Sequence, residues 1–170
     1  MVNSDMQFFL PMIPPTVTAQ EHKVSVRNGK PVFYDPPELK EARAKLTAFL
    51  AKHKPEKPYT KGVHLEVMWL FPLKFRHRDG EWRITRPDTD NLQKLLKDCM
   101  TAVGFWKDDA LVASELCEKF WAQVPGIFIK IEVLDSVELC AAFPAGGATV
   151  ACGAGISPDG ETARTQEVLS

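Results

Sequence analysis

The strongest constraint on this fold is an amphipathic helix pattern that a proline introduces and a glycine closes. It lies in residues 85–112, which read TRPDTDNLQKLLKDCMTAVGFWKDDALV. Its apolar residues recur at helical spacing and form one stripe, which consists of Leu92, Leu95, Leu96, Cys99, Met100 and Val103. Gly104 directly follows the last stripe residue, where glycine commonly ends a helix. The sequence therefore predicts a helix over residues 91–103, with its stripe buried against the rest of the domain.

Two carboxylates stand at the start of this predicted helix. Pro87 disfavours helical backbone at Arg86, so we expect the chain to reach Asp88 and Asp90 in an extended form. Side chains two residues apart in an extended segment point to the same side, so both carboxylates can face one point. Like charges held that close repel each other, and a divalent cation removes the repulsion. Magnesium and manganese take oxygen ligands of this kind, so the spacing indicates a metal site.

The same spacing also fits a purely structural role. Asp90 can cap the helix, with Gln93 completing a capping box three residues later. Asp88 is then a turn residue, and Asp108 and Asp109, which lie beyond the helix, belong to a solvated loop. The residue types alone leave the metal site and this structural interpretation equally open.

A resemblance to a known family favours the metal site. The block PDTDNLQKLLKDCMTAVGFWKDDALV closely resembles the signature of RusA-type Holliday junction resolvases, a D-x-D-N-L-x-K pattern followed by G-x-x-x-D-D-x-x-V. A looser likeness extends over residues 6–134 and includes the PPTVT and NGKPVFYDPPELKEAR stretches. The resemblance implies that Asp88, Asp90 and Asp109 are catalytic, metal-binding aspartates and that Lys94 is a catalytic lysine. Asp108 matches a neighbouring acidic position.

The function that this resemblance implies is cleavage of branched DNA. It implies a Mg²⁺-dependent endodeoxyribonuclease, in which Mn²⁺ can substitute, that acts as a homodimer and nicks four-way junctions in pairs during recombination and repair. One alternative is another structure-selective nuclease, such as a flap nuclease, with the same carboxylates. Another is a non-catalytic DNA-binding module on the same fold. The presence of Asp88, Asp90, Lys94 and Asp109 together argues against that second alternative.

A basic loop, residues 72–87, leads directly into the acidic segment. The residues that we expect to contact DNA are Lys74, Arg76, Arg78, Arg83 and Arg86. Basic side chains neutralise phosphate groups, and an aromatic ring such as that of Trp82 can stack on an unpaired base. The length of the loop and its Asp79-Gly80 turn predict mobility in the absence of substrate. Two other lysine-bearing segments, residues 23–34 and 52–61, fit either phosphate contacts or solvated surface.

The length of the predicted helix raises the question of how the three aspartates meet. Its 13 residues span roughly 20 Å, with Asp88 and Asp90 before them and Asp109 beyond them. Within one chain, residues 104–108 would have to return nearly extended along the helix. In a two-fold dimer, antiparallel packing of this helix on its partner would instead place Asp109 of one chain beside the other pair. The apolar Gly104-Phe105-Trp106 turn favours the shared site.

The rest of the pattern predicts an α+β fold: a mainly antiparallel mixed sheet with a hairpin arm and two principal helices, RusA-like. Asn28-Gly29 predicts the hairpin turn, and Pro36-Pro37 predicts the start of the first helix. Strands are predicted over residues 6–10, 23–27, 30–34, 62–71, 111–123 and 126–134, and a helix over residues 37–53. The last two strands, joined by a short turn, are expected to form an antiparallel pair.

Composition limits the chain to one domain. Its 170 residues, 45% of them hydrophobic, suffice for one sizeable core, which we expect in residues 1–138, with a flexible Ala/Gly/Thr/Ser-rich tail in residues 139–170. No apolar run reaches the roughly 20 residues that span a bilayer, and the first residues lack a signal-peptide pattern, so we expect a cytoplasmic protein. The net charge of −1 gives little support for nucleic-acid binding.

Overall fold

The predicted α+β architecture is confirmed by the computed structural model of the chain, which describes residues 4–17, 23–27, 30–34 and 36–135. Its strands are β1 (Met6–Leu10), β2 (Lys23–Arg27), β3 (Lys30–Tyr34), β4 (Val63–Pro72), β5 (Val112–Ala122) and β6 (Gly126–Val133), and its helices are α1 (Pro37–Ala51) and α2 (Thr89–Val103). A short 3-10 turn, Asp109–Leu111, precedes β5. The predicted tail lies outside the described residues, so its boundary stays a prediction.

Four strands form a mixed sheet in the order β1-β6-β4-β5, and β2 pairs with β3 in a separate antiparallel hairpin. β6 is antiparallel to β1 and to β4, whereas β5 is parallel to β4. The prediction that β5 and β6 pair with each other is wrong, because β4 lies between them. A parallel neighbour needs a crossover connection, which α2 supplies between β4 and β5, and β6 then takes the other edge of β4.

The helices and the sheet share one core. Alternate residues of β4 are almost fully buried; they are Val63, Leu65, Val67, Trp69 and Phe71. The predicted stripe of α2 joins the same core, with Val103 only partly buried. A salt bridge of 3.4 Å between Arg43 and Asp98 links α1 to α2. The core therefore fixes α2, and with it the acidic segment, relative to the sheet.

In the part of the chain that the structure describes, neither helix is long and apolar enough to cross a membrane.

Candidate functional site

The start of α2 lies two residues earlier than the sequence predicted. Thr89 is the first helical residue, and Asp88 is the N-cap with an extended backbone (φ −76°, ψ 152°). Asp90 lies inside the first turn, so the predicted capping box with Gln93 is wrong; the Gln93 side chain is buried and makes no hydrogen bond. The Asp88 carboxylate does not cap the helix through its side chain either. The two carboxylates thus flank a helix start, where the helix dipole favours negative charge, instead of sharing one face of an extended segment.

The backbone that leads into α2 is anchored on β5 by a lysine that the sequence analysis did not single out. The Lys119 ammonium donates hydrogen bonds to the carbonyl oxygens of Thr85 (3.0 Å) and Pro87 (2.6 Å). Burial lowers the pKa of Lys119, and the nearby Arg83 guanidinium lowers it further, whereas Asp88 acts in the opposite direction. Strand alternation places Lys119 on the same side of β5 as the buried Trp121, and this was the signal in the sequence that could have found it.

Arg83 belongs to the interior of this region. It is only 9% exposed, and its guanidinium lies over the ring of Phe71 (3.6 Å to the centroid) and near that of Trp121 (4.9 Å). It donates to the Thr85 hydroxyl (3.1 Å) and to the Arg86 carbonyl oxygen. Burial lowers the pKa of this guanidinium. We therefore expect Arg83, a predicted DNA-binding residue, to position the segment that enters α2.

The basic loop is tied to the end of β5 at several points. Gly80 donates to the Trp121 carbonyl (2.9 Å), Trp121 donates to the Glu81 carbonyl (2.8 Å), and Arg83 donates to the Lys119 carbonyl (2.9 Å). The ring of His77 stacks on Trp121 at 4.5 Å between centroids. These contacts argue against the mobility that the length of the loop predicted.

Four of the predicted DNA-binding residues, Lys74, Arg76, Arg78 and Arg86, are exposed. The Lys74 ammonium lies 5.8 Å from the centre of the Trp121 ring. Within the described residues, Arg76 has no carboxylate partner, whereas Glu81 accepts the backbone N–H of Arg78 at 2.8 Å and is influenced by its charge. The loop therefore presents a positive surface that runs up to Asp88.

The predicted catalytic groups are accessible to solvent. Asp88 and Asp90 are exposed, and Asp109 is partly exposed. The Lys94 side chain is 64% exposed, with its ammonium 3.8 Å from Asp98. Asp108 has a structural contact, because its carboxylate accepts the backbone N–H of Ala110 at 2.9 Å.

The three predicted metal ligands lie at two ends of α2. This helix runs beside β5, since the Cys117 thiol meets the Thr89 carbonyl at 3.7 Å and Lys97 pairs with Glu115 at 2.9 Å. Its 15 residues span about 22 Å, and the turn after it is compact: Gly104 has φ 95°, and Phe105 and Trp106 are buried. Among the described residues, no group of three or more His, Cys, Asp or Glu side chains lies close enough together to hold a metal.

Comparison with known proteins adds independent information. A sequence model of the family described as "Endodeoxyribonuclease RusA" matches residues 13–132. A protein of Lactococcus phage r1t, described as "Crossover junction endodeoxyribonuclease rusA", is 33% identical over 110 residues, which cover 64% of this chain and 81% of that protein. The uncharacterized protein YqaN of Bacillus subtilis (strain 168) is 29% identical over 63% of this chain and 82% of its own length.

Proposed function

Because this chain belongs to the RusA family of endodeoxyribonucleases, we propose that it nicks four-way DNA junctions in a metal-dependent reaction during recombination and repair. The observation that carries the proposal is the continuity of two surfaces: the exposed cations of the basic loop end directly at Asp88 and Asp90. Binding of DNA phosphates along this loop would place the DNA backbone next to the carboxylates. Such an enzyme would act in the cytoplasm, where its substrate forms.

The carboxylates at the start of α2 fit a hard divalent cation. Asp88 and Asp90 offer only oxygen ligands and both are exposed. Within the described parts of the chain their carboxylates accept no hydrogen bond, although the Lys119 charge acts on Asp88. Mg²⁺, for which Mn²⁺ can substitute, takes such ligands. When bound, the metal supplies neutralisation of charge on the attacked phosphate and a more acidic water molecule. Lys119 holds the backbone just before this pair, which keeps the carboxylates in place.

Lys94 is suited to contact the reacting phosphate. It lies one turn inside α2 from Asp90, and its long side chain projects into solvent. Its ion pair with Asp98, at 3.8 Å on the surface, stabilises little and is readily exchanged for a phosphate contact. We assign Lys94 to stabilising negative charge on the phosphate or on the leaving oxygen.

A homodimer resolves the separation between Asp88 and Asp109. The outer edge of β5 is covered near its end, where Trp82 bridges to Phe120, whereas residues 113–116 are exposed and, within the described residues, unpaired on that side. Antiparallel pairing of residues 113–117 with the same segment of a partner subunit, about a two-fold axis near Glu115, would direct the partner's residues 109–111 toward the end of β5 where Arg83 is bonded to the Lys119 carbonyl. The partner's Asp109 would then approach Asp88, because Lys119 at this end of β5 binds the Pro87 carbonyl.

Two such shared sites suit a four-way junction, which needs nicks in two opposed strands. A mixture of Asp88→Asn chains with Asp109→Asn chains tests the arrangement, because the heterodimer has one doubly altered and one intact site. With verified subunit exchange we expect nicking to return, and an inactive mixture would refute the shared site.

The activity itself is tested with labelled four-way, three-way and linear DNA in Mg²⁺ or EDTA. Nicking of all three alike would point to a general nuclease.

A further inference from the structure

The tip of the basic loop presents an aromatic ring to solvent. Phe75 is 93% exposed, more than any other large apolar side chain among the described residues. Its neighbours Lys74 and Arg76 are both exposed cations. A single exposed apolar side chain is common on protein surfaces, so the case for a contact rests on the cations beside the ring and on the backbone that holds it.

The backbone holds Phe75 in this position. His77 donates its N–H to the Lys74 carbonyl at 3.1 Å, which closes a tight turn with Phe75 and Arg76 at its centre. Arg76 has φ 86°, a left-handed conformation that strongly favours glycine at this turn position. The turn is pinned on both sides, since Leu73 donates to the Ala122 carbonyl at 2.9 Å and the His77 ring stacks on Trp121. The sequence thus keeps a cation beside the exposed ring at a cost in backbone strain.

The charges around the tip select its partner. The two acids of the loop are already engaged: Glu81 binds His77 at 2.9 Å, and Asp79 accepts the N–H of Gln123 at 2.9 Å. Lys74 and Arg76, the two cations beside Phe75, therefore have no carboxylate partner within the described residues. A second copy of the chain meeting this tip across a two-fold axis would bring like charges together, which opposes association. A nucleic acid supplies phosphates for the cations and a flat base for the ring.

We propose that Phe75 recognises the branch point by stacking on a base that is exposed where the duplex arms part, while Lys74 and Arg76 bind the flanking phosphates. This inference rests on the proposed function and deepens it, because the ring gives selectivity for open DNA over continuous duplex. Trp82, the aromatic residue that the sequence favoured for this role, packs on Phe120 at 4.4 Å between ring centroids and is only 59% exposed. Within the described parts of the chain, Phe75 has no such ring contact to give up.

Binding assays separate this role from a structural one. In EDTA, which keeps the DNA intact, we expect Phe75→Ala to bind a four-way junction about tenfold more weakly than the unaltered protein, with little change for linear duplex of the same sequence. Phe75→Trp should retain junction affinity. Leu134→Ala is the matched control, since Leu134 is exposed at the opposite end of the sheet, where it donates to the Gly62 carbonyl. Equal affinity of Phe75→Ala and unaltered protein for the junction, or an equal loss on both DNAs, would overturn the proposal.

Photocrosslinking tests the stacking directly. A 5-iodouracil base placed in an unpaired bubble should crosslink to Phe75, as mapped by mass spectrometry, and the same base within an arm should not. A crosslink that persists in Phe75→Ala, or a change in sedimentation of that variant toward monomer, would reject base stacking. Failure of the proposed function would look different: the unaltered protein would leave junctions uncut in Mg²⁺, whatever the bubble crosslink shows.

Discussion

Replacing Lys119 by methionine tests whether the anchor on β5 positions the proposed catalytic carboxylates. Methionine keeps much of the side-chain length and apolar stem but removes both donors, so the carbonyl oxygens of Thr85 and Pro87 lose their partner. A hydrogen bond from a charged group contributes about 1.5–3 kcal/mol, and relief of the partly desolvated ammonium offsets part of the loss of two. We therefore expect the free energy of unfolding to fall by about 2 kcal/mol, which lowers Tm by roughly 4–8 °C.

The effect on cleavage should exceed the effect on stability. A displacement of the α2 entry by about 1 Å can lower turnover by about 100-fold, because the carboxylates no longer meet the phosphate in register. Junction affinity and its salt dependence should stay close to those of the unaltered protein, since the Lys119 ammonium faces backbone carbonyls. Single-turnover cleavage at a temperature well below both melting transitions measures the first quantity, and binding titrations at several salt concentrations measure the second.

Lys97→Met is the matched control for this experiment. Lys97 also links α2 to β5, through a 2.9 Å ion pair with Glu115, but it does not touch the segment before α2. This half-exposed pair should contribute no more than about 1 kcal/mol, and its loss should leave turnover unchanged. The reasoning fails if Lys119→Met cleaves at the unaltered rate or loses no more stability than Lys97→Met. A salt slope reduced by about one would instead make Lys119 a phosphate contact.

Three further substitutions or modifications test other parts of the site. Asp90→Asn should abolish nicking while junction binding, measured by gel shift, survives, because it removes one proposed metal ligand but only a modest favourable interaction with the helix dipole. Normal turnover in Mg²⁺ would contradict the metal assignment. Arg76 and Arg78 replaced together by alanine should weaken junction binding and reduce the salt slope by roughly two, and an unchanged slope would move the phosphate contacts elsewhere. Burial raises the pKa of the Cys117 thiol to about 11, so its alkylation by iodoacetamide at pH 8 should be roughly a hundredfold slower than that of an exposed thiol. The rate, measured by peptide mapping, should rise with pH above 9. Rapid labelling at pH 8 would show that the thiol is not shielded.

Local patterns in the sequence predicted local structure well. The stripe of α2 is periodic, and Gly104 has the positive φ that ends a helix in this way, so both were readable from a few neighbouring residues. The start of α2 was misplaced because Asp88 and Asp90 are both good cap residues two positions apart. Only the surrounding packing selects one of them.

Features that depend on distant contacts were not readable in the same way. Strand order is an example: the turn between β5 and β6 looks like a hairpin connection, yet β4 separates the two strands. Arg83 counted as a surface cation in the sequence because nothing near it reveals that the rings of Phe71 and Trp121 enclose its guanidinium. The role of Lys119 likewise arises from carbonyl oxygens more than thirty positions earlier in the chain.

The position of β6 has a consequence for how the enzyme is made. Among the described residues β6 is the last strand along the chain, but it lies inside the sheet, where Met6 of β1 pairs with Ile131 and Leu65 of β4 pairs with the same residue from the other side. Pairing of such distant segments is slow, because closing long loops costs entropy before the contacts form. On the ribosome, β1 and β4 therefore wait with unpaired edges until β6 has emerged. We therefore expect the nascent chain to lack nuclease activity until synthesis has passed the end of β6.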